Sequence, residues 1–225
     1  MTIYPPWQVH SAEGYDEAMQ LAAAEVFRNL QNNVDYRRAI LTDPRDLHAS
    51  LFRDFAPDSH PEYAGTYRGT VATSLEKREI SAPMLFKPGG HFAFEAPEGL
   101  PDKVDFLLRQ ITQEIQEAHH APTYTQLLML THLFCWWGKL HPFLDGNGHI
   151  QRILFAAAAV ELGIPLLPRF AIHPRSYDRL LALPLEMFTR AAENQREQFI
   201  AMVAEYLSTW LAGPFDRPGS GIPDE

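Results

Sequence analysis

Apolar residues recur at helical spacing through most of the chain. Met19, Ala22, Val26, Phe27 and Leu30 fall on one side of a first helix, after an extended lead-in over residues 1–12. Leu47, Leu51, Phe52 and Phe55 mark a second. Asp43 can cap it, Pro44 suits its first turn, Asp46 favours the positive end of its dipole, and Pro57 stops it. Pro101 opens a helix carrying Val104, Leu107, Leu108, Ile111 and Ile115. Pro122 opens the next, with Leu127, Leu128, Leu130, Leu133, Phe134 and Trp137. Its dense apolar content predicts a central, buried helix. Gly138 and Pro142 interrupt the chain. A further helix is predicted from His149 to about Leu162, with Gly163 as its C-terminal cap and Pro165 as a stop. Ser176 can cap a short helix through Leu183, and a long final helix is predicted from about Leu185 to Leu211.

Residues 57–100 break this pattern. Met84-Leu85-Phe86 and His91-Phe92-Ala93-Phe94 flank Lys87-Pro88-Gly89-Gly90, the signature of a hairpin. With little else to build a larger sheet, the hairpin predicts a small flap on a helical body. The fold class is mostly α with one hairpin.

Composition bounds the partners. A formal charge of -9 argues against broad attraction to nucleic acid or an anionic membrane, while leaving room for a small basic phosphate pocket. A single cysteine, Cys135, lies in an apolar stretch and reads as a buried, inert thiol; one cysteine permits no internal disulfide. The N-terminus lacks a basic flank followed by an apolar run. No apolar stretch approaches the roughly 20 residues that span a bilayer. A cytoplasmic setting fits, with export into a host cell left open.

The chemistry concentrates between His141 and Arg152. Gly146-Asn147-Gly148 joins the buried helix to the next one. Glycine-rich backbone at such a junction can aim several N–H groups at one anion, and the helix dipole adds positive potential. Arg152, one turn in, leans back toward the same point. Asp145 beside a phosphate would be repelled unless a cation lay between them, and magnesium resolves that conflict. His141 supplies a base that works near neutral pH. These parts suit transfer of a phosphorus-linked group. Two other readings compete: a simple turn with a structural histidine, and a metal site of His141, Asp145 and His149. The latter needs one continuous helix, which Pro142, Gly146 and Gly148 disfavour.

The run His141-Pro142-Phe143-Leu144-Asp145-Gly146-Asn147-Gly148-His149-Ile150-Gln151-Arg152 resembles the Fic (Fic/Doc) family signature, His-x-Phe-x-Asp/Glu-Gly-Asn-Gly-Arg-x-x-Arg. Ala64-Gly65-Thr66-Tyr67-Arg68 looks like the Gly-x-aromatic-Arg turn that precedes the family's flap. The resemblance implies a Fic-type helical bundle with a β-hairpin flap, arranged as an N-terminal extension and helix over 1–39, a Fic domain over 40–211, and a flexible C-terminal tail over 212–225. It implies AMP transfer (AMPylation) from Mg-ATP to a Ser, Thr or Tyr hydroxyl of a target protein. His141 would be the base and Asp145 the magnesium ligand. Phe143 would anchor the loop. Gly146, Asn147 and Gly148 would form the anion hole, Arg152 would take the terminal phosphate, and the target would dock on the flap near residues 82–94.

His149 stands where the signature has its first arginine. Histidine is shorter and lacks the permanent charge, so a phosphate contact of about 1.5–3 kcal/mol is weakened. The same feature resembles the phosphocholine-transferring branch of the family. The alternatives are therefore a phosphocholine or other nucleoside monophosphate transferase, or a nucleotide-binding module with weak catalysis. Thr189-Arg190-Ala191-Ala192-Glu193-Asn194 resembles the family's inhibitory motif, in which Glu193 would pair with Arg152; a separate small inhibitory protein could do the same from outside.

Overall fold

A computed structural model describes residues 5, 7–174, 179–213 and 215. Three helices come first: α1 (Tyr15–Asn32), α2 (Val34–Thr42) and α3 (Arg45–Phe52). The flap strands β1 (Ser81–Pro83) and β2 (His91–Ala93) follow, then α4 (Leu100–Ala118), α5 (Thr123–Leu140), α6 (Asn147–Glu161), α7 (Arg179–Arg190) and α8 (Glu197–Ser208). The mostly helical fold with one small antiparallel sheet is the one the sequence predicts.

The centre is α5. It packs against α4, α6, α7 and α8, while α6 also packs against α1 and α2. A helix covered on several sides must be apolar nearly all round. Accordingly Leu127, Leu130, Leu133, Phe134, Cys135 and Trp137 are buried on α5, and every residue from Ile150 to Ala159 is buried on α6. The Cys135 thiol is held up in pKa by burial, which fits its inert reading. The predicted stripe of α4, Val104 through Ile115, is buried as a set. Gly163 closes α6 with a left-handed φ of 76°.

Four features differ from the sequence reading. First, α2 is a helix in its own right. Asn33 separates it from α1 and accepts the N–H of Tyr36. Second, the short helix expected through Leu183 and the start of the long helix expected from Leu185 form one helix, α7, with Pro184 inside it, and the rest of the expected long helix is α8, ending at Ser208 rather than Leu211. The chain breaks at Ala191–Arg196, where Glu193–Gln195 form a 3-10 turn. The reason is tertiary: α7 and α8 pack on each other and both pack on α5, which a straight helix cannot do. Third, the first flap strand lies at residues 81–83 rather than 84–86, in the register Ser81↔Ala93, Ala82↔Phe92, Pro83↔His91. The N–H of Leu85 is drawn away from the hairpin by Glu186 Oε2 at 2.8 Å, so pairing ends at Met84. Fourth, Phe55 falls in a 3-10 turn beyond α3, and the N-cap position of α3 is Pro44 rather than Asp43, which lies one residue earlier and accepts the N–H of Arg45. Ser176 and most of the C-terminal tail lie outside the described residues.

The lead-in is tied down. Trp7 is buried, and its indole N–H donates to the carbonyl of Phe55 at 2.8 Å. No helix among the described residues is long and apolar enough to cross a membrane.

Candidate active site

The loop from His141 to Gly146 joins the two buried helices, so its backbone must be held from outside the helical ladders. Asn147 closes it from within. Its side-chain oxygen accepts the N–H of Phe143 at 2.9 Å and its amide donates to the Phe143 carbonyl at 2.8 Å. The Asn147 side chain thus ties the loop through both its oxygen and its amide. Phe143 is fully buried, as an anchor should be.

Two residues far away in sequence complete the frame. His48 lies flat on the Phe143 ring, with centroids 3.6 Å apart. Its Nδ1 accepts the N–H of Gly65, so Nε2 carries the proton and donates to the carbonyl of Asp145 at 3.0 Å. Burial pushes the pKa of this imidazole down to about 3, and it stays neutral. Arg68, also fully buried, donates to four carbonyls: His141 of the loop, Leu140 at the end of α5, and Arg78 and Glu95 at the two roots of the flap. One guanidinium thus fixes the flap to the loop. Burial lowers its pKa to about 10. Gly146 must be glycine here: its φ is 76°, and a Cβ would lie 2.5 Å from the Phe52 ring.

His141 ends α5 with a left-handed φ of 48°. Its Nδ1 lies 3.2 Å from the carbonyl of Gly138. A carbonyl only accepts, so Nδ1 carries the hydrogen and Nε2 is the basic nitrogen. The ring stacks on Phe94 of the flap at 3.8 Å. It borders two cavities. One, of about 390 Å³, is lined by Phe92, Phe94, Gly148, Arg152 and Glu186 as well. The other, of about 420 Å³, is lined by Asp145, Gly146, Gly148, His149 and His173, with Val9 and Tyr15 from the lead-in and α1.

Asp145 fits a role as a single magnesium ligand. Oδ2 accepts the N–H of Val9 at 3.0 Å and Oδ1 that of Gly146 at 2.7 Å, which leaves each oxygen a further lone pair, and the residue lines the second cavity. Among the described residues no group of three or more His, Cys, Asp or Glu could hold an ion, so a site made by His141, Asp145 and His149 does not exist. Magnesium ordinarily takes one or two carboxylates and completes its shell with phosphate oxygens and water, and Asp145 suits that pattern.

Arg152 is buried, donates to the carbonyl of Gly148 at 3.0 Å and lies over the Trp210 ring. The structure thus gathers His141, Asp145, Gly146, Asn147, Gly148, His149 and Arg152 around two adjoining cavities. It does not bring Glu193 there. That residue is exposed on its 3-10 turn and lines a separate groove with Trp136, Lys139 and Arg196. The carboxylate that shares a cavity with Arg152 is Glu186, whose Oε2 holds the flap at Leu85. Sequence reasoning missed His48, Glu186 and His173. None has a local signal: each meets its partner across a long stretch of chain.

A buried helix pair that presents a glycine-rich loop beside a hairpin flap defines the class of fold. The Fic/DOC family model matches residues 41–159, and the chain belongs to that family. Its members are commonly transferases of nucleoside monophosphates or other groups. Among solved structures, a Fic domain containing signaling protein from Bacteroides thetaiotaomicron matches with a TM-score of 0.55 at 18% identity, over 86% of this chain. The chain spans 66% of that protein's length. No curated protein matches.

Proposed function

We propose that the protein is a protein adenylyltransferase, moving AMP from Mg-ATP to a Ser, Thr or Tyr hydroxyl of a target protein. The observation that carries this reading is the tautomer of His141. Its Nδ1 hydrogen is committed to Gly138, which makes Nε2 a base at the border of both cavities. A pure nucleotide binder has no use for such a base.

In this reading the target hydroxyl oxygen attacks the α-phosphorus as its proton passes to His141 Nε2. The new P–O ester bond forms, the bond to the bridging oxygen breaks, and pyrophosphate leaves. The N–H groups of Asn147 and Gly148 would carry the charge that builds on the phosphate oxygens, while that of Gly146 is held by Asp145. Arg152 would bind the far end of the triphosphate. Asp145 would hold magnesium, which when bound neutralises phosphate charge. The hairpin at 81–93 would accept an extended target segment as an added strand. Glu186 and Arg68 hold that hairpin in place.

The test incubates the protein with magnesium and, in turn, ATP, GTP, CTP, UTP and cytidine diphosphocholine, and reads the mass added to itself and to lysate proteins. Adenylate addition that vanishes in His141→Ala supports the proposal. Phosphocholine addition would replace it with the phosphocholine transferase. Nucleotide binding without any covalent product would replace it with a binding module.

A further inference from the structure

Base and flap meet through a pair of rings. Phe94 lies flat on the His141 imidazole, with centroids 3.8 Å apart and planes 13° from parallel. Phe92 packs edge-on against Phe94 at 5.3 Å. The backbone on both sides of Phe94 is pinned. Its own N–H donates to the carbonyl of Ile80, the N–H of Glu95 donates to the carbonyl of Lys139, and the carbonyl of Glu95 accepts from Arg68. A fixed stretch of chain therefore delivers the Phe94 ring to His141. The histidine needs such a reference. It sits just past α5 in a left-handed conformation, and the bond from Nδ1 to the Gly138 carbonyl is long, at 3.2 Å. A hydrogen bond at one ring atom lets an imidazole pivot about that atom, and the χ2 torsion of histidine is broad and roughly two-fold. A half-turn about χ2 puts Cε1 where Nε2 stood, and a carbon takes no proton.

We propose that Phe94 is a positioning residue for His141: its ring sets the plane of the imidazole so that Nε2 meets the incoming hydroxyl. This rests on the nucleotide-transfer reading above. Two groups divide the task. The Gly138 carbonyl holds the Nδ1 hydrogen and so decides which nitrogen is the base. Phe94 sets the plane in which that nitrogen points and blocks the rotation between the two half-turns. Without the stack the ring tilts, Nδ1 leaves Gly138, and the proton redistributes between the two nitrogens. Phe94 directly follows strand β2, and Arg68 binds the carbonyls of both Glu95 and His141. The hairpin that takes the target and the base that takes its proton thus share one frame. No position in the 141–152 run marks Phe94, which lies far earlier in the chain.

The experiment makes two measurements on wild type, Phe94→Leu, Phe94→Met and Phe94→Tyr, each also melted by circular dichroism. The first is a nitrogen–proton correlation spectrum of the imidazoles at about pH 8, where an ordinary histidine is neutral. The His141 signals are those that vanish in His141→Gln. Wild type should show His141 with its hydrogen on Nδ1. Phe94→Tyr, which keeps the ring, should show the same, and Phe94→Leu should show both tautomers in exchange. The second is AMP transfer from Mg-ATP to the protein itself or to an acceptor found in the donor screen. Phe94→Leu should lower kcat by about twofold to tenfold, the range a stacked aromatic pair supplies, with KM for ATP changed by less than about twofold. Phe94→Tyr should restore kcat. An unchanged tautomer in Phe94→Leu, or a raised KM at unchanged kcat, would overturn the proposal; the second result would make Phe94 only a wall of the cavity. Should Phe94→Leu melt below wild type, Phe94→Met takes its place with the same expectations. A wild type that transfers nothing from ATP overturns the nucleotide-transfer reading, while the tautomer spectra still decide what Phe94 does to His141.

Discussion

Replacing Arg68 by methionine, which keeps an unbranched chain as far as the position of Nε and removes the five N–H donors, tests how the flap is joined to the loop. Arg68 makes four bonds of 2.9–3.1 Å to carbonyls at both flap roots and on the loop. Bonds from a charged donor contribute about 1.5–3 kcal/mol each, so even the low end gives roughly 6 kcal/mol. Against that stands the cost of burying the charge. The pKa falls from 12.5 to about 10, which converts to about 3 kcal/mol against the charged form. The balance predicts that Arg68→Met destabilises by about 3 kcal/mol. Urea unfolding with a slope of about 2–3 kcal/mol/M should then show a midpoint lower by about 1 M. Arg68→Lys should recover little, because one ammonium is a compact point of charge and cannot fork to four carbonyls on two sides. A midpoint shift below about 0.3 M, or full recovery by lysine, would refute the idea that this guanidinium is what ties flap to loop.

His48 is neutral when folded, with a pKa near 3 against the usual 6.5. Below pH 6.5 the unfolded chain takes up a proton that the folded chain refuses, so stability falls as pH drops from 6.5 toward 3, by up to about 1.4 kcal/mol per pH unit. His48→Gln should flatten that slope in urea titrations at successive pH values; an unchanged slope would assign it elsewhere. Gly146→Ala meets the Phe52 ring at 2.5 Å and a left-handed φ, and should cost about 2–4 kcal/mol and abolish nucleotide binding, read by melting and calorimetry. Asn147→Asp keeps the acceptor for Phe143 N–H but sets an oxygen against the Phe143 carbonyl, so it should melt no higher than Asn147→Ala. Glu193→Gly should leave the transfer rate unchanged, since Glu193 lines a groove apart from Arg152; a clear rise in product formation would show that the 191–196 segment rearranges.

The elements carried by strong local periodicity were legible before any coordinates. Helices α4, α5 and α6, the break at the His141–Gly146 loop, and the flap all follow from spacing, glycine and proline. The gathering of the candidate site residues was legible for the same reason: His141, Asp145, Gly146–Gly148 and Arg152 are near in sequence, and a loop followed by a helix brings them to the same pair of cavities by local geometry. Errors arose where a local pattern was equally good for two outcomes. Residues 185–211 keep helical periodicity across the break, and only packing of α7 on α8 shows that the chain must turn back. The flap strand slipped because Leu85 N–H answers to Glu186, a carboxylate 101 residues away.

The sequence by itself thus determined a helical fold, the loop that carries the candidate site, and a histidine at position 149. Tertiary structure alone decided what holds that loop and what accompanies that histidine. His48 fixes Asp145, Arg68 joins loop to flap, and His173 stands beside His149. The physical reason is that periodicity states which face of an element is buried, whereas a hydrogen bond between distant residues depends on how whole elements pack. No spacing in the chain records that partner choice.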